Sequence, residues 1–535
     1  MKDLFSKLMS RRSFLAALVA GVASTAIDWT KIEALASTLE PKSDYPVVVI
    51  GAGLGGLTAA THLARIGFPV TVIEQHDRVG GYATCFQRAG GNFNFDVSLH
   101  WTVGMGRFLE ACGIKDKVKL ISLPELFRVI LPDYDITFPQ KDPEGIVRIL
   151  SEKFPQEAGG LRSFMTMLTD LLQEIRKPID PQTIASTHPI LWSMRTQTEA
   201  QVLDKYFMDS RLKAIMACFG LGLSMPPSIQ PGIIYALMTG FTVFDGKEQI
   251  KGRCEDLSNA LREVIEKHGG RVILRTEVES ILMKEGAAVG VRTVDAKTYT
   301  ARAVISNASG PATFGKMLPP DVIPEDYQAK LLTYRPSAST FVVWLGLNQE
   351  IREKIKGYNI IVSDSYGAPA TGEFDASKAG FGLVIYDNLY PGYSKPGKST
   401  LTLIRDDSYR FWKRFEADYF ANRKEAYRKE KEWNAQILIE RAEAKVIPGL
   451  RSMIESIEAA TPLTNMRYTK NPEGAIVGYE ASFNNYGQMR IKNRTPIKGL
   501  YLASAWGNPG GGFTGAMSGG QSAFKDLMDD WGKKI

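Results

Sequence analysis

A glycine-rich segment near the start of the chain has the spacing of a dinucleotide-binding turn. Gly51, Gly53 and Gly56 come directly after the apolar run Val47–Ile50, which is typical of a buried parallel strand. The first glycine allows a tight turn, the second lets the backbone approach a pyrophosphate, and the third lets the next helix pack closely. We therefore predict a helix over residues 54–66 whose first N–H groups hold phosphates.

Glu74 ends the next apolar run, residues 69–73, and stands 23 positions after Gly51. Gly67 lies between the helix and this run, where a helix commonly ends in the left-handed conformation. A carboxylate at the end of the second strand accepts hydrogen bonds from ribose hydroxyls and repels a 2′-phosphate. The pattern predicts a dinucleotide without that phosphate, and NAD and FAD both stay open at this point.

A second glycine pair follows the second predicted strand. Arg78, Gly80 and Gly81 form an Arg-x-Gly-Gly segment, and Tyr82 comes next. The segment resembles that of the large flavoprotein group that contains amine oxidases and phytoene desaturases, in which it contacts FAD. The resemblance implies FAD as the cofactor. The group usually has a basic residue after the glycine pair, and this chain has Tyr82 instead.

Few other residues are arranged for chemistry of their own. The sequence has no Ser-His-Asp pattern with readable spacing and no second nucleotide fingerprint. We therefore expect the flavin to carry the redox step while the protein positions the substrate. Asp96 and His100 are the candidates for a catalytic acid or base, with structural hydrogen bonding as the alternative for both. Arg467 is a candidate to hold the flavin or a polar substrate end, or to form an ion pair.

The four cysteines are Cys85, Cys112, Cys218 and Cys254, and they lack C-x-x-C spacing. This scattered pattern predicts no metal site. A covalent flavin link at Cys85 is one alternative, and small buried thiols are the expectation.

The first 36 residues have the features of an export signal. Residues 10–15 read Ser-Arg-Arg-Ser-Phe-Leu and resemble a twin-arginine motif, and an apolar run covers residues 14–27. That run is too short to span a bilayer comfortably, and residues 34–36, Ala-Leu-Ala, offer a cleavage site before Ser37. We predict export of the folded, cofactor-loaded protein to the periplasm by the twin-arginine translocation machinery. A chance Arg-Arg pair and an uncleaved membrane tether are the alternatives.

Length and composition indicate two domains and no polytopic membrane part. The chain has 535 residues, of which 44 % are hydrophobic, and a formal net charge of +7. This charge is mild for the size, so no nucleic-acid partner is predicted.

The hydrophobic periodicity outlines the elements that position these motifs. Helices are predicted over residues 160–175, 201–219, 254–268, 409–447 and 517–531, and strands over residues 93–99, 271–276, 278–283, 288–293, 299–305, 339–347 and 499–506. The 409–447 helix carries Phe411, Trp412, Phe415, Tyr419 and Phe420 among many charges. Its aromatic residues are expected to form a core stripe, or else to contact a membrane surface through which an apolar substrate enters.

Three blocks together resemble the phytoene desaturase, carotenoid isomerase and retinol saturase family. They are the N-terminal fingerprint with Phe95, Asp96 and His100, the segment 461–475, and the segment 495–512 that ends in Pro-Gly-Gly-Gly. The resemblance implies an α/β fold: a Rossmann-like FAD-binding domain of the glutathione-reductase/amine-oxidase type with an inserted α+β substrate domain. Residues 1–36 are then the signal, residues 44–110, 245–315 and 455–535 the FAD-binding domain, and residues 111–244 and 316–454 the substrate domain.

The motifs also imply a set of residues that contact FAD. These are Gly51, Gly53, Leu54, Gly55, Gly56, Glu74, Arg78, Gly80, Gly81, Tyr82, Val278, Asn307, Ala505, Gly511, Gly512 and Thr514.

For function, the resemblance implies an apolar small-molecule substrate, held in a tunnel, and redox chemistry or isomerisation at its conjugated double bonds. Desaturation, saturation and cis-trans isomerisation of an isoprenoid or polyene stay open. Amine oxidation is an alternative that needs an aromatic cage, for which Tyr479 and Trp506 are candidates. A flavin carrier without activity is a further alternative.

Overall fold

The structure is a computed structural model that describes residues 42–98, 100–180, 182–220, 225–367, 375–486 and 489–532. The predicted export signal over residues 1–36 lies outside the described residues. Within the described part, no helix combines the length and the apolar character needed to cross a bilayer.

The described residues form an alternation of helices and strands. The strands are β1 (Val47–Ile50), β2 (Val70–Ile73), β3 (Cys85–Arg88), β4 (Phe93–Asp96), β5 (Lys119–Ser122), β6 (Phe127–Leu131), β7 (Tyr134–Phe138), β8 (Glu248–Lys251), β9 (Arg271–Ile273), β10 (Val278–Lys284), β11 (Ala287–Thr293), β12 (Thr298–Thr300), β13 (Ala303–Ser306), β14 (Ser339–Leu347), β15 (Asn359–Val362), β16 (Phe381–Val384), β17 (Ser399–Asp407), β18 (Ile454–Ala460) and β19 (Leu500–Leu502).

The α-helices are α1 (Leu54–Arg65), α2 (Gly106–Ala111), α3 (Pro143–Lys153), α4 (Ala158–Glu174), α5 (Ile184–Thr187), α6 (Pro189–Met194), α7 (Glu199–Tyr206), α8 (Ser210–Ala217), α9 (Gly232–Asp245), α10 (Cys254–Lys267), α11 (Gly310–Gly315), α12 (Glu325–Leu331), α13 (Tyr409–Trp412), α14 (Glu416–Phe420), α15 (Glu425–Lys445), α16 (Leu450–Met453), α17 (Pro462–Thr469) and α18 (Phe513–Asp530).

A five-stranded parallel sheet with the order β19-β13-β1-β2-β9 forms the first layer. Side chains alternate along β1, so Val47 and Val49 pack among α1, α10 and α18. Val48 and Ile50 pack on the other face, against the antiparallel sheet β10-β11-β12. Because both faces are covered, the strands are apolar throughout. The predicted α/β fold class is confirmed.

The antiparallel sheet β18-β14-β17-β16-β15-β6-β7, with one parallel pair between β15 and β6, forms a second layer. Its strands come from residues 111–244 and 316–454, the segments expected in the substrate domain, and additionally from β18. The predicted boundary at residue 455 places β18 with the cofactor segments, but β18 pairs along β14 instead. Helices α3, α4 and α6–α9 pack over the β6–β7 end of the sheet and form an apolar layer.

Several predicted elements end earlier than their hydrophobic pattern suggests. The 93–99 strand ends at Asp96, and the 299–305 run divides into β12 and β13. The 201–219 helix divides into α7 and α8 because the Glu157 carboxylate accepts hydrogen bonds from the N–H groups of Met208 and Asp209. Asp209 then caps α8 by accepting from the Arg211 N–H.

The predicted 409–447 helix is also divided, into α13, α14 and α15. Trp412 is fully buried, its Nε1 donates to Asp407 Oδ2 at 2.9 Å, and its ring stacks on Phe341. A membrane-surface position for Trp412 is therefore wrong, and the core alternative is right. Of the aromatic residues in this segment, Trp433 and Phe420 have the largest exposed fractions, 58 % and 53 %.

Helix α1 approaches its neighbours closely through glycine. A Cβ added to Gly55 would stand 1.5 Å from the carbonyl oxygen of Ala503, and one added to Gly520 would stand 2.2 Å from the carbonyl oxygen of Gly55. Side chains at either position would separate α1 from β19 and α18. Gly67, at a φ of +86°, ends the α1 segment in the predicted left-handed conformation.

We therefore expect Gly55→Ala to lower the free energy of unfolding by about 2–3 kcal/mol through overpacking. Gly159→Ala is the matched control, because Gly159 is also in a helix but has no neighbouring atom in the space a Cβ would fill. That substitution should leave stability unchanged or raise it by a few tenths of a kcal/mol. Urea unfolding of both variants measures the difference, and equal midpoints would contradict the close-packing argument.

Candidate active site

One continuous cavity of about 2640 Å³ lies at the carboxyl ends of the parallel strands and extends into the helical layer. The turns after β1 and β19 line it at one end. Leu172, Leu203 and Phe241, from α4, α7 and α9, line it at the other. Ligand cavities usually measure roughly 300–1,000 Å³. This cavity therefore has room for a dinucleotide and a second, elongated ligand.

The first glycine turn forms one wall of the cavity. Gly51, Gly53 and Leu54 line it, and a Cβ on Gly53 would stand 2.5 Å from Asn307 Nδ2. Gly55 and Gly56 are not part of the wall. They face the carbonyl oxygens of Ala503 and Gly51, so their role in the structure is helix packing.

Glu74 is buried at the end of β2, and it lines the cavity. Its Oε2 accepts a hydrogen bond from the Ala52 N–H at 2.7 Å, and its Oε1 accepts from the His76 N–H at 2.9 Å. These two bonds fix the carboxylate beside the first glycine turn. The position agrees with the predicted role as a ribose acceptor.

The second glycine pair is joined to the first turn. Gly80 donates its N–H to the Ala52 carbonyl at 2.7 Å, and Gly80 and Gly81 have φ angles of +116° and +60°. Arg78 donates from Nη1 to the Cys85 carbonyl at 2.9 Å. Tyr82 lines the cavity, where burial raises the pKa of its hydroxyl. An aromatic ring thus occupies the place at which the sequence resemblance implied a basic residue.

The opposite wall comes from residues far along the chain. Val278, Asn307, Ala505, Gly511, Gly512 and Thr514 all line the cavity. A Cβ on Gly511 would stand 2.4 Å from Val477 Cβ, and Gly512 has a φ of +81° at the start of α18. The sequence motifs therefore meet at one place, although more than 400 residues separate Gly53 from Gly511.

The cleft fits a diphosphate-containing cofactor. Helices α1 and α18 both begin at the cavity, and neither has a side-chain N-cap. The free N–H groups and the positive ends of two helix dipoles favour an anion between them. The residues present would hold the phosphates at Gly53 and Gly512 and a ribose at Glu74.

Arg490 is a buried residue of the cavity wall that the sequence did not single out. It is buried, lines the cavity, and donates to the carbonyl oxygens of Gly507 (2.7 Å), Ala505 (2.9 Å) and Tyr479 (3.1 Å). Burial lowers the pKa of its guanidinium to about 10. Arg490 thereby fixes the turn that leads into the second glycine wall. Its sequence context has no motif that would single it out.

His100 lines the cavity, and its Nδ1 lies 2.9 Å from the Tyr386 hydroxyl. Within the residues described, no hydrogen bond reaches Nε2. Burial lowers the pKa of the ring to about 4, so His100 is neutral at neutral pH. The predicted catalytic position of His100 is therefore next to the space available for a substrate.

Asp96 lies elsewhere, away from the cavity wall. It is fully buried and accepts from the Tyr393 hydroxyl (2.7 Å), the Cys254 N–H (3.1 Å) and the Cys85 thiol (3.4 Å). Burial raises the pKa of this carboxyl to about 6. These contacts join β4 to α10 and give Asp96 a structural position.

Two thiols stand beside Asp96, which the cysteine spacing did not indicate. The ligand atoms of Cys85, Asp96 and Cys254 lie within 4.8 Å of one another. The Cys254 thiol donates to the Thr84 carbonyl at 3.1 Å, and burial raises its pKa well above the usual value. Both thiols are thus hydrogen-bond donors, Cys85 to the Asp96 carboxylate and Cys254 to the Thr84 carbonyl.

The remaining candidates also lie along the cavity. Arg467 is exposed, and its guanidinium lies 5.4 Å from the Tyr468 ring centroid. Tyr479 and Trp506 touch edge to face, with centroids 4.7 Å apart and an interplanar angle of 84°. Because the two rings contact each other, they leave no slot between them for an amine.

We expect Arg490→Met to lower both the melting temperature and the fraction of protein that retains its dinucleotide. The substitution removes three charge-assisted hydrogen bonds to buried carbonyls, each worth about 1.5–3 kcal/mol. Arg494→Met is the matched control, since Arg494 is 43 % exposed and forms surface ion pairs with Asp526, Asp529 and Asp530. Loss of the Arg494 side chain should lower the free energy of unfolding by less than about 1 kcal/mol. Thermal unfolding and absorbance at the cofactor band measure both effects, and equal losses would contradict this role for Arg490.

Comparisons with known proteins agree with this geometry. The profile of the family described as flavin containing amine oxidoreductase matches residues 54–527. The chain is 26 % identical over 527 residues to prolycopene isomerase 2 from an Oncidium hybrid cultivar, covering 90 % of this chain and 84 % of that protein. It is 26 % identical over 512 residues to all-trans-retinol 13,14-reductase from Danio rerio, covering 86 % of this chain and 82 % of that protein.

Solved structures support the fold. An oxidoreductase from Methanosarcina mazei has a TM-score of 0.61 at 19 % identity, covering 90 % of this chain and all of that chain. A putrescine oxidase variant has a TM-score of 0.62 at 15 % identity, covering 91 % of this chain and 99 % of that chain. Together with the family match over most of the chain, the glycine-lined cleft leads to one conclusion: the chain belongs to the flavin-containing amine oxidoreductase family and is an FAD-dependent oxidoreductase.

Proposed function

We propose that this enzyme exchanges hydrogen with carbon–carbon bonds of an apolar isoprenoid or polyene, as a desaturase or a saturase. The observation that carries the proposal is the continuation of the cofactor cleft into an apolar cavity. Leu172, Leu203, Ile233, Leu237 and Phe241 line that continuation. Burial of a hydrocarbon against such a wall contributes roughly 25 cal/mol per Å².

The cofactor and the chain divide the chemistry between them. Bound FAD supplies hydride exchange, and the chain supplies binding, orientation and exclusion of water. His100 stands on the cavity wall as a neutral imidazole supported by Tyr386. A neutral ring can hold or release a proton at its second nitrogen when a carbon–hydrogen bond forms or breaks.

Two relatives support the substrate class. Prolycopene isomerase and all-trans-retinol 13,14-reductase are both named for conjugated hydrocarbon chains. The first name also supports isomerisation without net redox change as a second candidate. Amine oxidation has less support, because the Tyr479 and Trp506 rings fill the space between them.

Anaerobic titration of the FAD-loaded protein tests the proposal. We expect partly saturated isoprenoids to bleach the oxidised flavin band, or polyenes to restore it after chemical reduction, and we expect amines to do neither. Bleaching by an amine alone would contradict the proposal. Conversion of a cis polyene to its trans isomer without consumption of an electron acceptor would favour the isomerase candidate.

His100→Gln separates turnover from cofactor binding in the same experiment. The flavin spectrum should be unchanged, and the rate of flavin reduction should fall about a hundredfold, within the range for loss of an acid–base group. Since burial lowers the pKa of His100 to about 4, the wild-type rate should be independent of His100 titration above about pH 5. An unchanged rate in the variant would assign His100 a structural role.

We also propose that the twin-arginine machinery exports the loaded enzyme to the periplasm. The Arg11-Arg12 pair, the short apolar run and the Ala-Leu-Ala segment before Ser37 support this. Such export suits a protein that must fold around FAD before it crosses a membrane.

N-terminal sequencing of the periplasmic protein should give Ser37 as the first residue. Replacement of both Arg11 and Arg12 by lysine should retain the precursor in the cytoplasm while keeping the charge. A retained Met1 on periplasmic protein would contradict cleavage, and export of the double-lysine variant would contradict the route.

A further inference from the structure

Lys247 is a buried cation on the wall of the substrate cavity. It lies between α9 and β8 and is 3 % exposed. Its Nζ is 4.1 Å from the ring centroid of Trp101 and 5.0 Å from that of Phe127. Within the described part of the chain, no carboxylate lies within ion-pair distance of this nitrogen and no acceptor forms a hydrogen bond with it.

The backbone of Lys247 is held firmly in this place. Its N–H donates to Gln140 Oε1 at 2.5 Å, and its carbonyl accepts from Gln140 Nε2 at 2.9 Å. The neighbouring Glu248 exchanges two backbone hydrogen bonds with Thr102, so Lys247 stays beside Trp101. Trp101 in turn follows His100, which lines the same cavity.

A second ionisable group lies in the same region. Glu199, at the start of α7, is 3 % exposed and also lines the cavity, and no described donor reaches its carboxyl oxygens. The Cys218 thiol interacts electrostatically with both Glu199 and Lys247. Burial lowers the pKa of Lys247 to about 7 and raises that of Glu199 to about 8. Near neutral pH Glu199 is mainly protonated and offers an O–H donor, while Lys247 is divided between ammonium and amine, both of which offer N–H donors.

Burying the Lys247 ammonium in this place is energetically unfavourable when no ligand is bound. An ammonium surrounded by apolar side chains loses its hydration, and the two aromatic faces replace only part of it. A hydroxyl group on a ligand would supply an acceptor without neutralising the charge. A carboxylate would supply both the acceptor and the opposite charge.

We propose that Lys247 anchors a carboxylate at one end of an otherwise apolar substrate, with Glu199 as a second hydrogen-bond donor. The substrate class is then a long-chain or polyene monocarboxylic acid. This inference rests on the proposed function, because it assigns the specificity of the same cavity. With one end held beside Trp101, the chain of the ligand is directed past His100.

Binding of matched acids and esters by the FAD-loaded protein tests the anchor. The probes are retinoic acid and oleic acid, each compared with its methyl ester, and binding is measured by quenching of tryptophan fluorescence. The wild type should bind the acid of at least one pair about tenfold or more tightly than its ester, as expected for a charge-assisted hydrogen bond. Lys247→Met should remove that preference while ester binding changes less than about twofold.

Two further variants make the result specific. Lys247→Arg should retain most of the preference, because it keeps the charge. Lys251→Met removes a charge from the exposed end of β8, the strand that follows Lys247, and should retain the preference fully. An unchanged preference in Lys247→Met, equal binding of acid and ester by the wild type, or binding of neither pair would overturn the proposal.

Failure of the carboxylate anchor can be distinguished from failure of the proposed redox function. Flavin bleaching by uncharged isoprenoids is recorded on the same preparations and does not require the anchor. Loss of bleaching with a retained acid preference would refute the redox proposal alone. Retained bleaching without an acid preference would refute the carboxylate anchor alone.

Discussion

The close approach of helix α1 to β19 and α18 is the constraint on which the cofactor cleft depends. Gly55 lies against the Ala503 carbonyl, and Gly520 lies against the Gly55 carbonyl, at distances that no side chain would permit. This packing brings two uncapped helix N-termini to one cavity. The positive ends of the two helix dipoles repel each other, and an anion bound between them relieves this repulsion. The same packing that completes the fold therefore favours binding of a phosphate.

The cavity changes character along its length. Near the parallel sheet its wall is backbone, fixed by Glu74, Gly80 and Arg490 through hydrogen bonds to N–H and carbonyl groups. Beneath the helical layer its wall is largely apolar, and burial raises the pKa of Glu199 and lowers that of Lys247, two of the ionisable groups there. The first region is suited to bind the charged cofactor. The second region is suited to bind an apolar substrate and to discriminate between hydrocarbon chains.

Local patterns were sufficient to predict the cofactor segment from β1 to Glu74. Strand, turn and helix there depend on neighbouring residues, so the glycine spacing and the apolar runs contain most of the information. The boundary predicted at residue 455 falls just inside β18, a strand whose position depends on pairing with β14, more than 100 residues away. The single helix over 409–447 was wrong because a 3-10 turn interrupts it at Lys413–Phe415 and Asn422 has a φ of +61°, breaks that the periodicity does not encode.

The site residues show the same difference between what local sequence patterns predict and what depends on distant contacts. Glycines with a positive φ, such as Gly51 and Gly80, were recognisable from motifs. Arg490 and Lys247 were not, because their importance comes from what surrounds them after folding: carbonyl oxygens in one case, and the absence of a counter-ion among the described residues in the other. A lysine or arginine in a polar stretch of sequence is otherwise indistinguishable from a surface residue.

The order of strands in the parallel sheet has a consequence for biosynthesis. The central strand β1 lies near the start of the chain, while its neighbour β13 comes after residue 300 and the edge strand β19 at residue 500. The second half of the cleft, including α18, therefore comes more than 400 residues after the first glycine turn. A chain synthesised from its N-terminus makes the two halves of the phosphate site at different times, and the complete site can form only after β19 and α18 have been made.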